Sequence, residues 1–167
     1  LKIKKEPEAL EEVIGGAIAL ILKRAPEQKI QVEMPEEVLM IPMDARLMEQ
    51  VFVNLLDNAV KHSEPSDQIT ITVEAPERES GIRIEVADRG EGISDADLPN
   101  IFETFYTSST RDADSKQGIG LGLAICDTII KAHGGSIRAE NRADGKGAVF
   151  TLKIPVNKEE GSNGALS

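Results

Sequence analysis

The sequence has 167 residues, 40% of them hydrophobic, enough for one domain with an ordinary core and too many for a disordered chain. A net charge of −10, with no Trp, one Tyr and four Phe, excludes a nucleic-acid surface, which needs a basic stripe and stacking rings. Any polyanionic ligand would have to be met locally, by a few Lys or Arg, by backbone N–H groups or by a divalent cation.

The opening LKIKKEP is charged and broken by Pro7, so residues 1–7 read as a linker. No signal-like segment is visible, and the chain is expected to be a portion of something longer. From Glu8, EALEEVIGGAIALILKR has helical spacing, with acids in its first turn and Lys23 and Arg24 in its last, both favourable to the helix dipole. Its apolar run VIGGAIALIL is too short for a bilayer span of about 20 residues, so no membrane contact is expected. KIQVEM and VLMI read as strands around the turn MPEE. A second helix starts after Pro42, with Asp44 as N-cap, and runs to about His62.

DQITITVEA and GIRIEVAD, joined by PERESG, alternate as two antiparallel strands. Residues 89–120 are rich in Gly, Ser, Thr and Asp, with one short helical stretch near DADLPNIFETF; so long a loop in a compact domain points to function. A third helix is expected from about Leu121 to Ala132, then strands in SIRAENR and AVFTLKIP, and residues 157–167 read as a disordered tail. Cys126, in the apolar run LAICDTII, reads as a small buried hydrophobe. As the single cysteine it cannot form an internal disulfide, which suits a reducing, cytoplasmic setting. His133 reads as a helix C-terminal residue, where a cation suits the dipole, ahead of a capping Gly134. Residues 8–156 thus form one α+β domain, a two-layer sandwich in which three helices cover one face of a mixed, mostly antiparallel sheet of five or six strands.

Three stretches carry chemistry. On the second helix, Arg46, Gln50, Asn54, Asp57, Asn58 and Lys61 fall within about 120° of one another, while Val51, Phe52, Val53, Leu55, Leu56, Ala59 and Val60 are assigned to the opposite arc. A plain solvated face would favour Glu, Lys or Arg over two asparagines. Asn54 and Asn58 lie one turn apart with Lys61 three residues further on, which suits a metal–nucleotide: amide oxygens are hard ligands for Mg²⁺ and an ammonium meets phosphate. VADRGEGI leaves a strand through Asp88, Gly90 and Gly92; it reads equally as a simple turn or as a base pocket where Asp88 accepts from an exocyclic amine. QGIGLGLAI sets Gly118, Gly120 and Gly122 before a helix, without the spacing of a dinucleotide fingerprint or the GK[ST] of a P-loop. What remains is a glycine turn feeding a helix N-terminus, which favours an anion; Arg111 and Lys116 before it either add charge or are merely solvated.

NLLDNAVKH, DRGEGI, FETFY and QGIGLGLAI stand in the order of the N, G1, F and G2 boxes. Over roughly residues 8 to 155 the sequence resembles the ATP-binding domain of sensor histidine kinases, in the superfamily that also holds gyrase, Hsp90 and MutL. IPMDARLMEQVFVNLLDNAVKHSEP and GLGLAICDTIIKAHGGSIRAENR are also similar to the potassium-responsive KdpD type of sensor kinase. The resemblance implies the Bergerat ATP-binding fold, and ATP and Mg²⁺ as ligands. Asn58 would coordinate the metal, Lys61 would contact phosphate, His62 would lie against the nucleotide, and Asp88 would bind the adenine amine. Gly90 and Gly92, with Ile93 beside them, would shape the adenine pocket. Residues from about Glu103 to Gln117 would form a lid bearing Arg111 and Lys116, anchored at Phe105 and hinged at Gly118, Gly120 and Gly122, with Ile119 and Leu121 between the glycines. Residues 106–117 would then be the least ordered internal segment when no nucleotide is bound.

In the superfamily's ATP-hydrolysing members a glutamate one turn before the metal-binding asparagine activates water; here that position is Asn54. An amide cannot take a proton at neutral pH, so transfer to a neutral imidazole, which carries a free lone pair, is expected over hydrolysis. The family's phosphoacceptor histidine lies on a separate helical dimerisation domain, so the implied activity is that of a protein-histidine kinase lacking its own acceptor. The implied partners are that domain of the same parent, which would be a membrane-anchored sensor, and the receiver domain of a response regulator. A superfamily ATPase and a non-catalytic, nucleotide-dependent interaction module are the alternatives.

Overall fold

Alternating apolar residues build the sheet and helical stripes roof it. The computed structural model describes residues 1–77, 81–104, 106 and 122–156. In chain order the elements are β1 (Glu6–Ala9), α1 (Leu10–Arg24), β2 (Lys29–Glu33), β3 (Met40–Met43), α2 (Ala45–Lys61), β4 (Gln68–Glu77) and β5 (Gly81–Ala87). A 3-10 turn at Leu98–Asn100, α3 (Gly122–Ala132), β6 (Ser136–Asn141) and β7 (Ala148–Ile154) complete them. Five strands form one sheet in the order β2-β4-β5-β7-β6, in which β2 and β4 are parallel and every other pair is antiparallel.

Register puts one set of side chains under the helices. Val73 pairs with Ile84, Ile84 with Leu152, and Leu152 with Ile137, so apolar residues align across four strands on one face. Against them lie Leu10, Val13, Ile14, Ala17 and Ile21 of α1, Val51, Phe52, Leu55 and Leu56 of α2, and Cys126, Ile129 and Ile130 of α3, in one buried cluster. Burial without a charged neighbour to help it ionise pushes the Cys126 thiol up to about 12, so it is the inert hydrophobe its apolar context suggested. No helix among the described residues is long and apolar enough to cross a membrane.

Four local expectations are corrected. Glu6 and Pro7 are not linker: with Glu8 and Ala9 they form β1, which pairs with β3 in a separate two-stranded ribbon, Pro7 opposite Pro42. The ribbon delays α1 to Leu10, whose N–H donates to the Leu39 carbonyl at 2.9 Å. Val53 and Val60 are half-buried at the border of the α2 polar stripe, not inside the apolar arc. His133 is no helix-terminal cation, because its buried ring accepts the Asp44 N–H at Nε2 (3.0 Å) and meets the Ile129 carbonyl through Nδ1 (2.8 Å). Only the neutral ring with its proton on Nδ1 satisfies both. The α3 end is closed by Gly134 at φ +80°, with the Gly135 N–H on the Ile130 carbonyl and the Gly134 N–H on that of Lys131. The tail from residue 157 lies outside the described residues.

Asp44 caps α2 as its sequence position suggested, Oδ1 accepting from the Leu47 N–H at 3.3 Å, while Oδ2 accepts from the Lys4 N–H at 3.0 Å. The Lys4 bond is the main cause holding its carboxyl below the ordinary value of 3.8, against desolvation, with the Leu47 bond adding to it. Replacing Asp44 with Ala is expected to destabilise the fold by about 1 kcal/mol at neutral pH. Since the folded pKa is the lower one, the carboxylate's contribution is complete above 3.8 and is lost as pH falls through the folded value, so urea midpoints of the two proteins converge in acid. Gly15 sits in the interior of α1, where an added Cβ meets nothing within 4 Å. Gly15→Ala should therefore raise stability by roughly 0.5 to 1 kcal/mol in the same titration.

Candidate functional site

The polar stripe of α2 survives folding because α1 and α3 cover its flanks and the sheet covers its base. Leu47, Met48, Val51, Phe52, Leu55, Leu56 and Ala59 are buried, and Asn54, Asp57 and Asn58 keep partial exposure. Asn54 Nδ2 donates to the carbonyl of Gly122, the first residue of α3, at 3.2 Å. That bond sets the α3 N-terminus beside the middle of the stripe. Lys61 bonds Asp57 at 3.2 Å, one turn back on its own helix, and Arg24 of α1 approaches the same carboxylate at 3.5 Å. Both are surface pairs that hold their cations weakly, so Lys61 is free energetically to turn to a stronger anion.

Asp88 closes β5. Its Oδ1 accepts the Gly90 N–H at 2.9 Å and the Ala148 N–H at 3.1 Å, and its own N–H donates to the Ala148 carbonyl at 3.0 Å. The side chain is 3% exposed, so a carboxylate is buried at the mouth of the sheet with one oxygen fully engaged by backbone. The next residues fold back over α2: Gly90 packs on the His62 carbonyl so closely that a β-carbon there would collide with it. His62 Nδ1 lies 3.4 Å from Glu91 Oε2. Asp88 and Gly90 are thereby held against the C-terminal end of α2, the end that carries Asn58, Lys61 and His62.

Gly92 has φ +84°, and a β-carbon would stand 2.7 Å from Asn141 Oδ1. Both glycines of DRGEGI are therefore demanded by the protein's own packing, whatever ligand approaches them. Ile93 follows, its backbone bonded twice by Asn141. Beyond it, Phe102 packs edge-on against Phe150 with ring centroids 6.1 Å apart, and the Tyr106 hydroxyl donates to buried Asp97. That bond is the main cause raising the Tyr106 phenol above its ordinary value. The lid expectations at Phe105, Arg111, Lys116, Gly118, Ile119, Gly120 and Leu121 fall outside the described residues, as does nearly all of the 106–117 segment; Gly122 is described, exposed at the start of α3.

Asn141, Gly147 and Glu91 belong to this site and were not singled out in the sequence. Asn141 and Gly147 carry no local signal, since their partners are far away in the chain, and Glu91 lies inside DRGEGI with its partner His62 outside it. Among the described residues no group of three or more His, Cys, Asp or Glu side chains is placed to hold a metal.

Comparison with known proteins places this fold. Residues 43–158 match the family model described as histidine kinase-, DNA gyrase B-, and HSP90-like ATPase. Over 154 residues, 92% of the chain, it is 46% identical to the sensor protein KdpD of Clostridium acetobutylicum, and over 153 residues 37% identical to that of Escherichia coli K12. The chain spans only 17% and 16% of the lengths of those two relatives. The catalytic domain of histidine kinase ThkA superposes with a TM-score of 0.80 at 29% identity, covering 95% of this chain and 99% of that one. Full-length ShkA in complex with AMPPNP gives 0.75 at 27%, covering 93% and 32%; ThkA in complex with the response regulator TrrA gives 0.75 at 29%, covering 93% and 43%.

The close seat of Gly90 makes a direct test of the site's assembly. Gly90→Ala should force the loop off the His62 carbonyl and cost about 1 to 3 kcal/mol in thermal unfolding, as an overpacked backbone contact does. Calorimetry showing an unchanged transition would mean that the loop and the α2 end are not held together.

Proposed function

The chain belongs to the histidine kinase-, DNA gyrase B- and HSP90-like ATPase family, and from that membership we propose that it binds Mg–ATP and passes the γ-phosphoryl group to a histidine on a separate helical domain. Onward transfer to an aspartate of a response regulator would follow. The observation that carries the reading is the pairing of a buried, half-engaged carboxylate at Asp88 with the amide and ammonium row of α2 across the Gly90–His62 contact. Oδ1 of Asp88 is taken by two backbone donors, so Oδ2 is the acceptor offered to an adenine exocyclic amine. Asn58 offers its amide oxygen to Mg²⁺, which when bound neutralises charge on the phosphates, and Lys61 meets a phosphate oxygen after releasing Asp57. His62 and Ile93 flank the base.

In the transfer itself an imidazole nitrogen of the acceptor attacks the γ-phosphorus, the bond to the β–γ bridging oxygen breaks, ADP leaves, and the imidazole N–H proton passes to solvent. Asn54 supports transfer over hydrolysis, because its Nδ2 is committed to the Gly122 carbonyl and its amide takes no proton from water. The AMPPNP complex of ShkA and the TrrA complex of ThkA support a nucleotide and a response regulator as the partners here.

Incubated with γ-labelled ATP and a dimerisation-helix fragment of the parent, the chain should place acid-labile label on the added fragment and none on itself. Asp88→Asn should weaken Mg–ATP binding roughly tenfold to a hundredfold, since its oxygen must stay on the two N–H donors and its NH₂ then faces the adenine amine, donor against donor. Asn58→Ala should weaken it as well. Rapid release of free phosphate by this chain alone would overturn the role given to Asn54, and binding indifferent to both substitutions would favour a non-catalytic module.

A further inference from the structure

The loop that presents the base acceptor is held by the β6–β7 hairpin, which begins its second strand beside the end of β5. Four of its residues, Asp88, Arg89, Gly92 and Ile93, are tied to the segment from Asn141 to Ala148 that joins β6 to β7. Asp88 exchanges two hydrogen bonds with Ala148, and its carbonyl lies so close to Gly147 (φ +109°) that a side chain there would not fit. Arg89 pairs with Asp144 at 3.1 Å, but both side chains are about half exposed, so this tie is weak.

Asn141 makes the strongest of the remaining ties. Its Oδ1 accepts the Ile93 N–H at 2.7 Å and its Nδ2 donates to the Ile93 carbonyl at 2.8 Å. A primary amide carries one donor and one acceptor side by side, the same pair that a neighbouring strand would present. At the end of β6 the side chain thus takes over from the backbone ladder and fixes the end of a loop that has no strand partner of its own. Gly92 turns at positive φ against that same Oδ1, so the second glycine of DRGEGI and Asn141 fit each other.

We infer that Asn141 is a positioning residue for adenine selectivity: by clamping Ile93 it holds the Asp88–Ile93 loop in the one shape that aims the Asp88 acceptor at an adenine amine. The inference rests on the nucleotide reading above and adds to it the residue that sets base preference without touching the base. On that reading the polyphosphate tail is met by α2, through Asn58 and Lys61, so the clamp acts on the base and leaves the phosphates alone.

The test uses this chain with Asn141→Ala and Asn141→Asp, the second keeping the acceptor for the Ile93 N–H but setting a carboxylate oxygen against the Ile93 carbonyl. Binding of Mg–ATP, Mg–GTP and Mg–triphosphate is measured beside amide exchange. Loss of two neutral hydrogen bonds in a partly wet setting should weaken ATP by roughly fivefold to thirtyfold in the alanine variant and narrow the ATP-over-GTP preference, while triphosphate stays within about twofold. Exchange at the Ile93 and Gly90 amides should quicken while β5 and β7 stay protected. The aspartate variant should fall between the two proteins, and it serves alone if the alanine variant does not fold. Unchanged base preference, or an equal loss for all three ligands that tracks a lower melting temperature, would overturn the inference while leaving ATP binding intact. If the unaltered chain bound none of the three ligands, the nucleotide reading would fall and the selectivity role with it.

Discussion

One constraint organises the molecule: helix α2 has to be core and site at once. It lies on the sheet with α1 along one flank and α3 along the other, so seven of its seventeen residues are buried and only a strip is left for polar groups. That strip cannot drift around the helix, because rotating α2 by one residue would carry Asn58 toward the Phe52 and Leu56 packing and expose an apolar side chain in its place. The same burial that stabilises the sandwich therefore aims the amides and the lysine. A site built this way is rigid on its helix side, and the loops that complete it have to be brought to it.

The opposite end of α2 is held by a knot around Asp44. Its side chain caps the helix and takes the Lys4 N–H, while its own N–H goes to His133 at the end of α3. Three parts of the chain, the segment before β1, the start of α2 and the end of α3, meet at one residue. Because His133 accepts through Nε2 and is spoken for at Nδ1, the knot requires an uncharged ring, and a proton added there would set N–H against N–H. The α2–α3 pair is thus joined twice, at this knot and at the Asn54–Gly122 bond near the site, which fixes the pair as a unit on top of the sheet.

Local chemistry was legible in the sequence and distant pairing was not. The α2 span, its Asp44 cap, the alternation of β4 and β5 and the buried Cys126 all follow from spacing, capping preference or apolar context. Pro7 read as a break because proline cannot sit in a central strand, yet in a two-stranded ribbon it faces Pro42 where no ladder bond is lost. His133 misled in the other direction: a histidine before Gly-Gly looks like a dipole-matched cation until Asp44, 89 residues away, supplies its donor. Gly90 and Gly92 stand out in the motif, but what demands glycine there is the His62 carbonyl and Asn141, neither of which the motif itself contains.

Asn54 shows how chemistry and packing meet at a single atom. Its Nδ2 donates to the Gly122 carbonyl, the point at which α3 begins. A carboxylate at the same place has no donor, so it would set negative charge against that carbonyl and loosen the helix start. An amide is what docks α3 here, and an amide is also what cannot deprotonate a water molecule. The two consequences are inseparable in this fold: a side chain fixed by the α2–α3 contact is one that cannot serve as a general base.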